Sequence, residues 1–415
     1  MALGISVDPA GSVAGRTGRT LVPLGVMFFF VGLSIAVVGP FLSLFLSSEV
    51  HAGPARVGAF LAAGPLAMVV SSSALGRLSD RRPIRRRLLL TAAVAGCASS
   101  AATAFVRDYW LLFALTVTVT ALSGAMFPQA FAYAREVLQQ RGSTRAAMAI
   151  STLRMLFSIA WVAGPPVAAF LLQAGGFRVL YLTAAAMYAV AAVVVLVRLE
   201  EVSPPPHAER PPAARAGVTV LAIVTALALM QAAGVLGVQA MSLYLAHVLH
   251  AQLRDAGLIL GLCAALEIPL MLAFGALSTR FPLRHLIILG SSVGVVYYAL
   301  VTLAAHSWQV AALQVLNASF IAAVQGLGIS YVQELLPGEP GRAATLAGNA
   351  FPIAGILAGP LLGLAAHLGY RYAYAAGTAL CLSGVALLLV TGHRHPTATP
   401  AEPVALDTRA PSPAA

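Results

Sequence analysis

Apolar runs long enough to cross a lipid bilayer recur through almost the whole of this chain, and that recurrence limits its fold more than any single motif. At about 20 residues per crossing, twelve can be counted, near 21–47, 56–76, 87–105, 109–135, 146–172, 177–198, 217–246, 254–278, 283–305, 308–335, 342–368 and 370–391. Lipid offers the backbone no hydrogen-bond partners, so a crossing segment must satisfy its own polar groups as a helix or join a closed barrel. These runs are continuous and not alternating, which excludes a barrel. With 59% hydrophobic and 9% charged residues and a mean hydropathy of +0.87 over 415 residues, the chain lies far outside the range of soluble domains. The expected fold is an all-α integral membrane protein with twelve transmembrane helices.

Arginine predicts the orientation. If both termini are cytoplasmic, the outside loops hold 5 of the 25 basic residues (Arg56, Arg107, Arg178, Arg254 and Arg371), Arg154 lies inside a span, and the inside segments hold the other 19. Positive charge of that asymmetry belongs on the cytoplasmic side. The net charge of +11 then reflects topology and contact with anionic membrane lipids, and nucleic acid is not expected as a partner. Residues 1–20 hold no apolar core followed by a small-residue cleavage site, so a cleaved signal peptide is not expected. Cys97, Cys263 and Cys381 all fall in apolar runs and suggest packing, neither disulfides nor a metal cluster.

The chain also repeats itself. Ser43-Leu-Phe-Leu46 returns as Ser242-Leu-Tyr-Leu245, Gly58 as Gly257, and Gly76-Arg-Leu-Ser-Asp80-Arg81 as Gly275-Ala-Leu-Ser-Thr279-Arg280, at one constant offset. Trp110 and Trp308, Tyr133 and Tyr331, Glu136 and Glu334, and Gly164-Pro165 and Gly359-Pro360 continue the series. The predicted organisation is a cytoplasmic tail at 1–20, a six-helix bundle at 21–198, a Pro-rich linker at 199–216, a second bundle at 217–391 and a disordered cytoplasmic tail at 392–415. Two pseudo-symmetric six-helix bundles are an architecture of alternating-access carriers, with the ligand between them.

Two charges stand out against this background. Glu267 is the carboxylate and Arg154 the arginine placed deep in the predicted spans. A charge at the bilayer centre costs about 2.5–3.5 kcal/mol on insertion scales, so such a residue usually faces a cavity and works there. Glu267 is read as a proton-coupling or substrate-binding acid; the alternative is a neutral Glu bonded to a neighbouring helix. For Arg154 the alternative is snorkelling or binding to helix carbonyls.

The segment Gly76-Arg-Leu-Ser-Asp80-Arg81-Arg82-Pro83 through Arg87, between the second and third spans, resembles the cytoplasmic signature of the major facilitator superfamily, with Pro83 where the family usually has Gly. A narrower resemblance, to the bacterial sugar efflux transporters, rests on Glu49-Val50 to Gly58, Arg107-Asp108-Tyr109, Pro128-Gln129 to Glu136, Arg154 to Pro166, and Leu266-Glu267-Ile268-Pro269. It implies proton-driven export of small sugars and glycosides across the bacterial cytoplasmic membrane by a monomeric, multi-pass antiporter without cofactor or metal. It also implies a gate at Gly76, Asp80 and Arg81, and close approach or kinking at Gly164, Pro165, Gly359 and Pro360. In that superfamily the fifth and eighth helices face each other across the halves, so Glu267 and Arg154 become a candidate charge pair. Spans one, four, seven and ten line its cavity, which makes Gln129, Tyr133, Gln231, Gln239, Gln314, Asn317 and Gln325 candidate sugar contacts, with Trp161 on the fifth as a stacking surface. Amides and phenols suit hydroxyl-rich ligands because they donate and accept; helix-to-helix bonding is the alternative for each. A multidrug antiporter and a sugar importer share the same architecture. An enzyme would need a nucleophile and base or a metal cluster at membrane depth, and the nine histidines sit mostly at span ends.

Overall fold

A computed structural model describes residues 11–140, 146–201, 217–336 and 339–391. The described residues are helical with no strand. The first span runs Gly11–Val38, a 3-10 turn Gly39–Phe41 and Leu42–Ser48. The second is Pro54–Arg81 and the third Arg85–Thr103. The fourth is broken into Tyr109–Leu115, a π-helical stretch Thr116–Thr120, Ala121–Ser123 and Met126–Gln140. The helix Ala146–Arg198 contains the fifth and sixth spans, parted at Gly175 and Gly176, which leave helical backbone angles (Gly176 at φ 65°). The seventh to ninth spans are Val218–His247, Leu253–Leu277 and Leu283–Leu303. Ser307–Ala312 with Gln314–Leu335 forms the tenth, Pro340–Leu368 the eleventh and Arg371–Val390 the twelfth.

Ten helical stretches among the described residues are long and apolar enough to cross a membrane. One of them, Thr152–Arg198, holds two spans. The third span completes the twelve; it is 19 residues long and opens on Arg85, Arg86 and Arg87. The tail at 392–415 and the linker from 202 to 216 lie outside the described residues.

Local chemistry sets the ends. Asp108 caps the fourth span, its carboxylate accepting from the Leu111 N–H at 2.8 Å. Pro54 and Pro340 open the second and eleventh spans, where a missing N–H costs nothing. The first and seventh spans end alike: His51 (φ 52°) and His250 (φ 49°) turn left-handed while Ala52 N–H bonds Leu46 C=O and Ala251 N–H bonds Leu245 C=O, each at 2.9 Å. The packing repeats as well, since Phe45 meets Tyr181 edge-on at 4.9 Å and Tyr244 meets Tyr374 edge-on at 4.8 Å. Position 45 plus 199 is 244, the offset of the duplication.

The helices turn much of their apolar surface outward: Leu272, Val197, Trp110 and Trp308 are each more than 60% exposed. Such a surface is tolerated against lipid, and tryptophans at equivalent span ends suit the membrane interface.

Candidate functional site

Two seams join the halves, and both depend on glycine. Between the second and eleventh spans a Cβ on Gly359 would stand 2.6 Å from Ala62 N and 2.7 Å from Gly58 O, and one on Gly363 2.9 Å from Pro54 O. Between the fifth and eighth, a Cβ on Gly257 would lie 2.5 Å from Pro165 O and one on Gly261 2.5 Å from Pro166 Cγ. These backbones touch because no side chain intervenes. The first and seventh spans add Ser43 Oγ donating to Gln239 C=O, and Ser242 Oγ to Pro40 C=O at 3.5 Å.

All of these contacts lie toward one side, the far side, opposite the ends Arg198 and Val218 where the linker leaves and returns. Along the same seams toward the linker side, a Cβ on Gly76, Gly275 or Gly348 would meet no described atom within 4 Å. Among the described residues the halves are therefore in contact on the far side and parted on the linker side, which leaves a cleft between them. Of the predicted hinge residues, Pro165 and Gly359 lie in the seams; Gly164 packs inside its own half, its Cβ position 2.4 Å from Ala36 Cβ. Pro360, one residue on, is exposed. Asp80 and Arg81 end the second span, and their side chains lie outside the described residues.

Glu267 and Arg154 stand on the two helices of the fifth-to-eighth seam. Gly257 meets Pro165 and Ala169, and Gly261 meets Val162 and Pro166, so the helices run antiparallel. Extending that register sets Glu267 opposite about residue 158, roughly 6 Å of helix axis from Arg154 at 1.5 Å per residue. In this state no ion pair joins them among the described residues. Arg154 is exposed, with its guanidinium 5.8 Å from the centre of the Phe131 ring; Glu267 is half-buried and bonds no other described side chain.

The candidate sugar contacts divide. Gln325 is exposed, and Trp161, Gln231 and Gln239 are half-buried. The Gln239 Oε1 has no hydrogen-bond partner among the described residues. Gln129, Tyr133, Gln314 and Asn317 are buried inside the bundles. Gln129 Oε1 accepts from Arg85 at 3.2 Å, and the Tyr133 hydroxyl donates to Glu200 C=O at 2.9 Å. Gln314 and Asn317 bond each other, with Gln314 also reaching Tyr297 and Asn317 reaching Cys263. In this state those four hold helices together.

Two features go beyond the sequence. Arg85, which the predicted spans leave in the loop before 87–105, is 5% exposed and pairs with Glu136 at 2.8 Å. The face of the fourth span that turns toward the first and fifth carries Phe127 and Phe131, packed with Phe28 and Phe157 at ring separations of 4.5–5.8 Å. Their i, i+4 spacing was a readable signal.

A family model described as Major Facilitator Superfamily matches residues 24–236 and 221–413. Sugar efflux transporter A of Dickeya chrysanthemi is 36% identical over 386 residues, covering 89% of this chain and 98% of that one. Sugar efflux transporter B of Salmonella typhimurium is 33% identical, covering 87% and 92%. Among solved structures, a bacterial homologue of the human lysosomal transporter Spinster, in an inward-facing and occupied conformation, superposes with TM-score 0.73 at 14% identity, covering 93% of this chain and 97% of that one. A peptide transporter POT does so with TM-score 0.74 at 15%, covering 89% and 93%. At those identities the structural likeness concerns the fold alone.

Proposed function

This chain belongs to the sugar efflux transporters of the major facilitator superfamily, and from that premise we propose that it exports small sugars or glycosides across the bacterial cytoplasmic membrane by alternating access, driven by proton antiport. The observation that carries the reading is the one-sided cavity flanked by an acid and an arginine on facing helices. Arginine counts make the linker side cytoplasmic. Both termini are then cytoplasmic, and the conformation described is open to the cytoplasm, ready to load a sugar for export.

In this reading Gln325, Gln231, Gln239 and Trp161 contact the sugar, amides on its hydroxyls and the indole on its apolar face. When the linker side closes and the far side opens, Gln129, Tyr133, Gln314 and Asn317 remain structural. Glu267 takes up a proton from outside and releases it to the cytoplasm, and the ionised carboxylate attracts Arg154 across the seam. Protonation removes that attraction and frees the halves to rock. Asp80 and Arg81, with Gly76, hold the linker side shut in the other state by charge contacts and the field of a helix end.

Counterflow and gradient-driven efflux in proteoliposomes, with labelled glycosides at two pH values, test this. Glu267→Gln should abolish uphill export while leaving exchange partly intact; unaltered uphill export rules out Glu267 as the coupling acid. A multidrug antiporter is the second reading, favoured by the phenylalanine wall beside Arg154. Extrusion of cationic dyes with no competition from glycosides would select it.

A further inference from the structure

The tenth span carries a buried acceptor with no hydrogen bond among the described residues. Asn317 is 6% exposed; its Nδ2 donates to Gln314 Oε1 at 2.9 Å and to Cys263 Sγ at 3.3 Å, while its Oδ1 is buried without a described partner. Gln314 is fixed in turn, its Nε2 donating to the Tyr297 hydroxyl at 3.3 Å and the Val310 C=O at 3.0 Å. The amide is thus oriented by its neighbours and leaves one oxygen wanting a donor, an arrangement that is unfavourable unless something comes to fill it.

Glu267 is the group placed to do so. Cys263 and Glu267 are spaced i, i+4 and share a face of the eighth span. That face follows the tenth span: Cys263 touches Asn317, and one turn beyond Glu267, Met271 Cγ comes 3.7 Å from the Cβ position of Gly326. Glu267 lies between these two contacts. Side chains lean toward the N-terminus of their helix, which for the eighth span is the far side, the direction of Asn317. A carboxylate has no hydrogen to offer Oδ1, whereas the protonated acid has one O–H.

We propose that Asn317 is a positioning residue for Glu267: its Oδ1 accepts the hydroxyl of the protonated acid and rejects the carboxylate. Proton uptake creates the O–H that bonds Asn317, and proton release breaks that bond and returns the carboxylate to the cavity. Among ionisable groups on the helices packed there, Arg154 on the fifth span favours the carboxylate. Cys263 is on the same helix and Tyr297 on the ninth; Tyr244 and His247 lie toward the far end of the seventh, and Tyr331 and Glu334 toward the linker end of the tenth. Arg154 and Asn317 thus favour opposite protonation states from opposite sides of one helix. The eighth span would sit nearer the fifth with the acid ionised and nearer the tenth with it protonated.

This inference rests on Glu267 as the coupling acid, and two readouts keep the claims separable. In Asn317→Leu, with Asn317→Ala in reserve should the first not fold, the pH profile of export should move to lower pH by about one unit, a tenfold change, because the protonated form loses its acceptor. Loss of activity at every pH with no shift overturns the proposal. In purified protein, the infrared carbonyl band of the protonated acid, identified by its disappearance in Glu267→Gln, should move to higher frequency in the Asn317 variant. An unmoved band overturns the contact whatever the transport result. If Glu267→Gln leaves the export profile intact, the coupling role falls while the infrared band still decides the contact.

Discussion

Arg85 and Glu136 form an ion pair with side chains 6% and 11% exposed. Breaking a buried pair by removing one partner commonly costs about 3–5 kcal/mol, because the remaining charge stays buried, while an apolar pair of similar volume can be neutral or better. Glu136→Leu should therefore lower the melting temperature in detergent strongly, and Arg85→Leu with Glu136→Leu should recover much of the loss; equal destabilisation by single and double variants contradicts the pairing. In the second half the offset of 199 sets Arg284 at the position of Arg85, half-buried where Arg85 is buried, and Glu334 at the position of Glu136 is exposed. Glu136 was not legible as a bundle residue because the apolar run ends at about 135, whereas the helix continues to Gln140 and keeps the acid inside. Gln129 and Tyr133 share a face, as their spacing requires. Whether that face meets the cavity depends on packing against the third span, which periodicity does not carry.

At the scale of elements, most of the architecture could be read directly. The twelve spans, the break near 173–176 and the duplication were all in the sequence, because lipid leaves a crossing segment few alternatives to helix. The irregular fourth span was not, since nothing in Thr116-Val-Thr-Val-Thr120 distinguishes a π-helical stretch from an α-helical one. The glycines of the seams were legible as small residues, though not as contacts between halves. Gly359→Ala places a methyl against Ala62 N and the Gly58 carbonyl, backbone atoms that cannot swing aside. Overpacking of this kind costs typically about 1–3 kcal/mol, so the far-side-sealed state should lose population by about tenfold to a hundredfold. Export should fall accordingly, while the melting temperature changes less, because the clash can be relieved by parting the seam. Gly164→Ala differs, since it strikes Ala36 within the first half; it should lower the melting temperature. Wild-type export from Gly359→Ala would mean that the second-to-eleventh seam opens on neither side during the cycle.

For the whole molecule, the sealed far side and parted linker side are one of two arrangements that a duplicated carrier needs, and the charge asymmetry turns geometry into direction. In the proposed orientation, which puts 19 of the 25 arginines counted from the sequence on the linker side, the opening faces the cytoplasm. A sequence carries both end states equally and cannot report which is populated; the balance depends on contacts such as Gly58 with Gly359, worth only a few kcal/mol against one another. Accessibility separates the states. In a background with Cys97, Cys263 and Cys381 replaced by Ser, Gln325→Cys should react with a membrane-impermeant thiol reagent from the cytoplasmic face, since Gln325 is exposed and in the proposed reading lines the cavity, and Gln314→Cys, fully buried, should not. A transported glycoside should slow labelling at 325 severalfold by occupying the cavity. Introducing Gly359→Ala should also slow it from that face, because the linker side then closes more often, and speed it from the opposite face. Labelling of 325 only from the outside would reverse the assigned orientation, and labelling unaffected by Gly359→Ala would separate the glycine seam from the opening of the cavity.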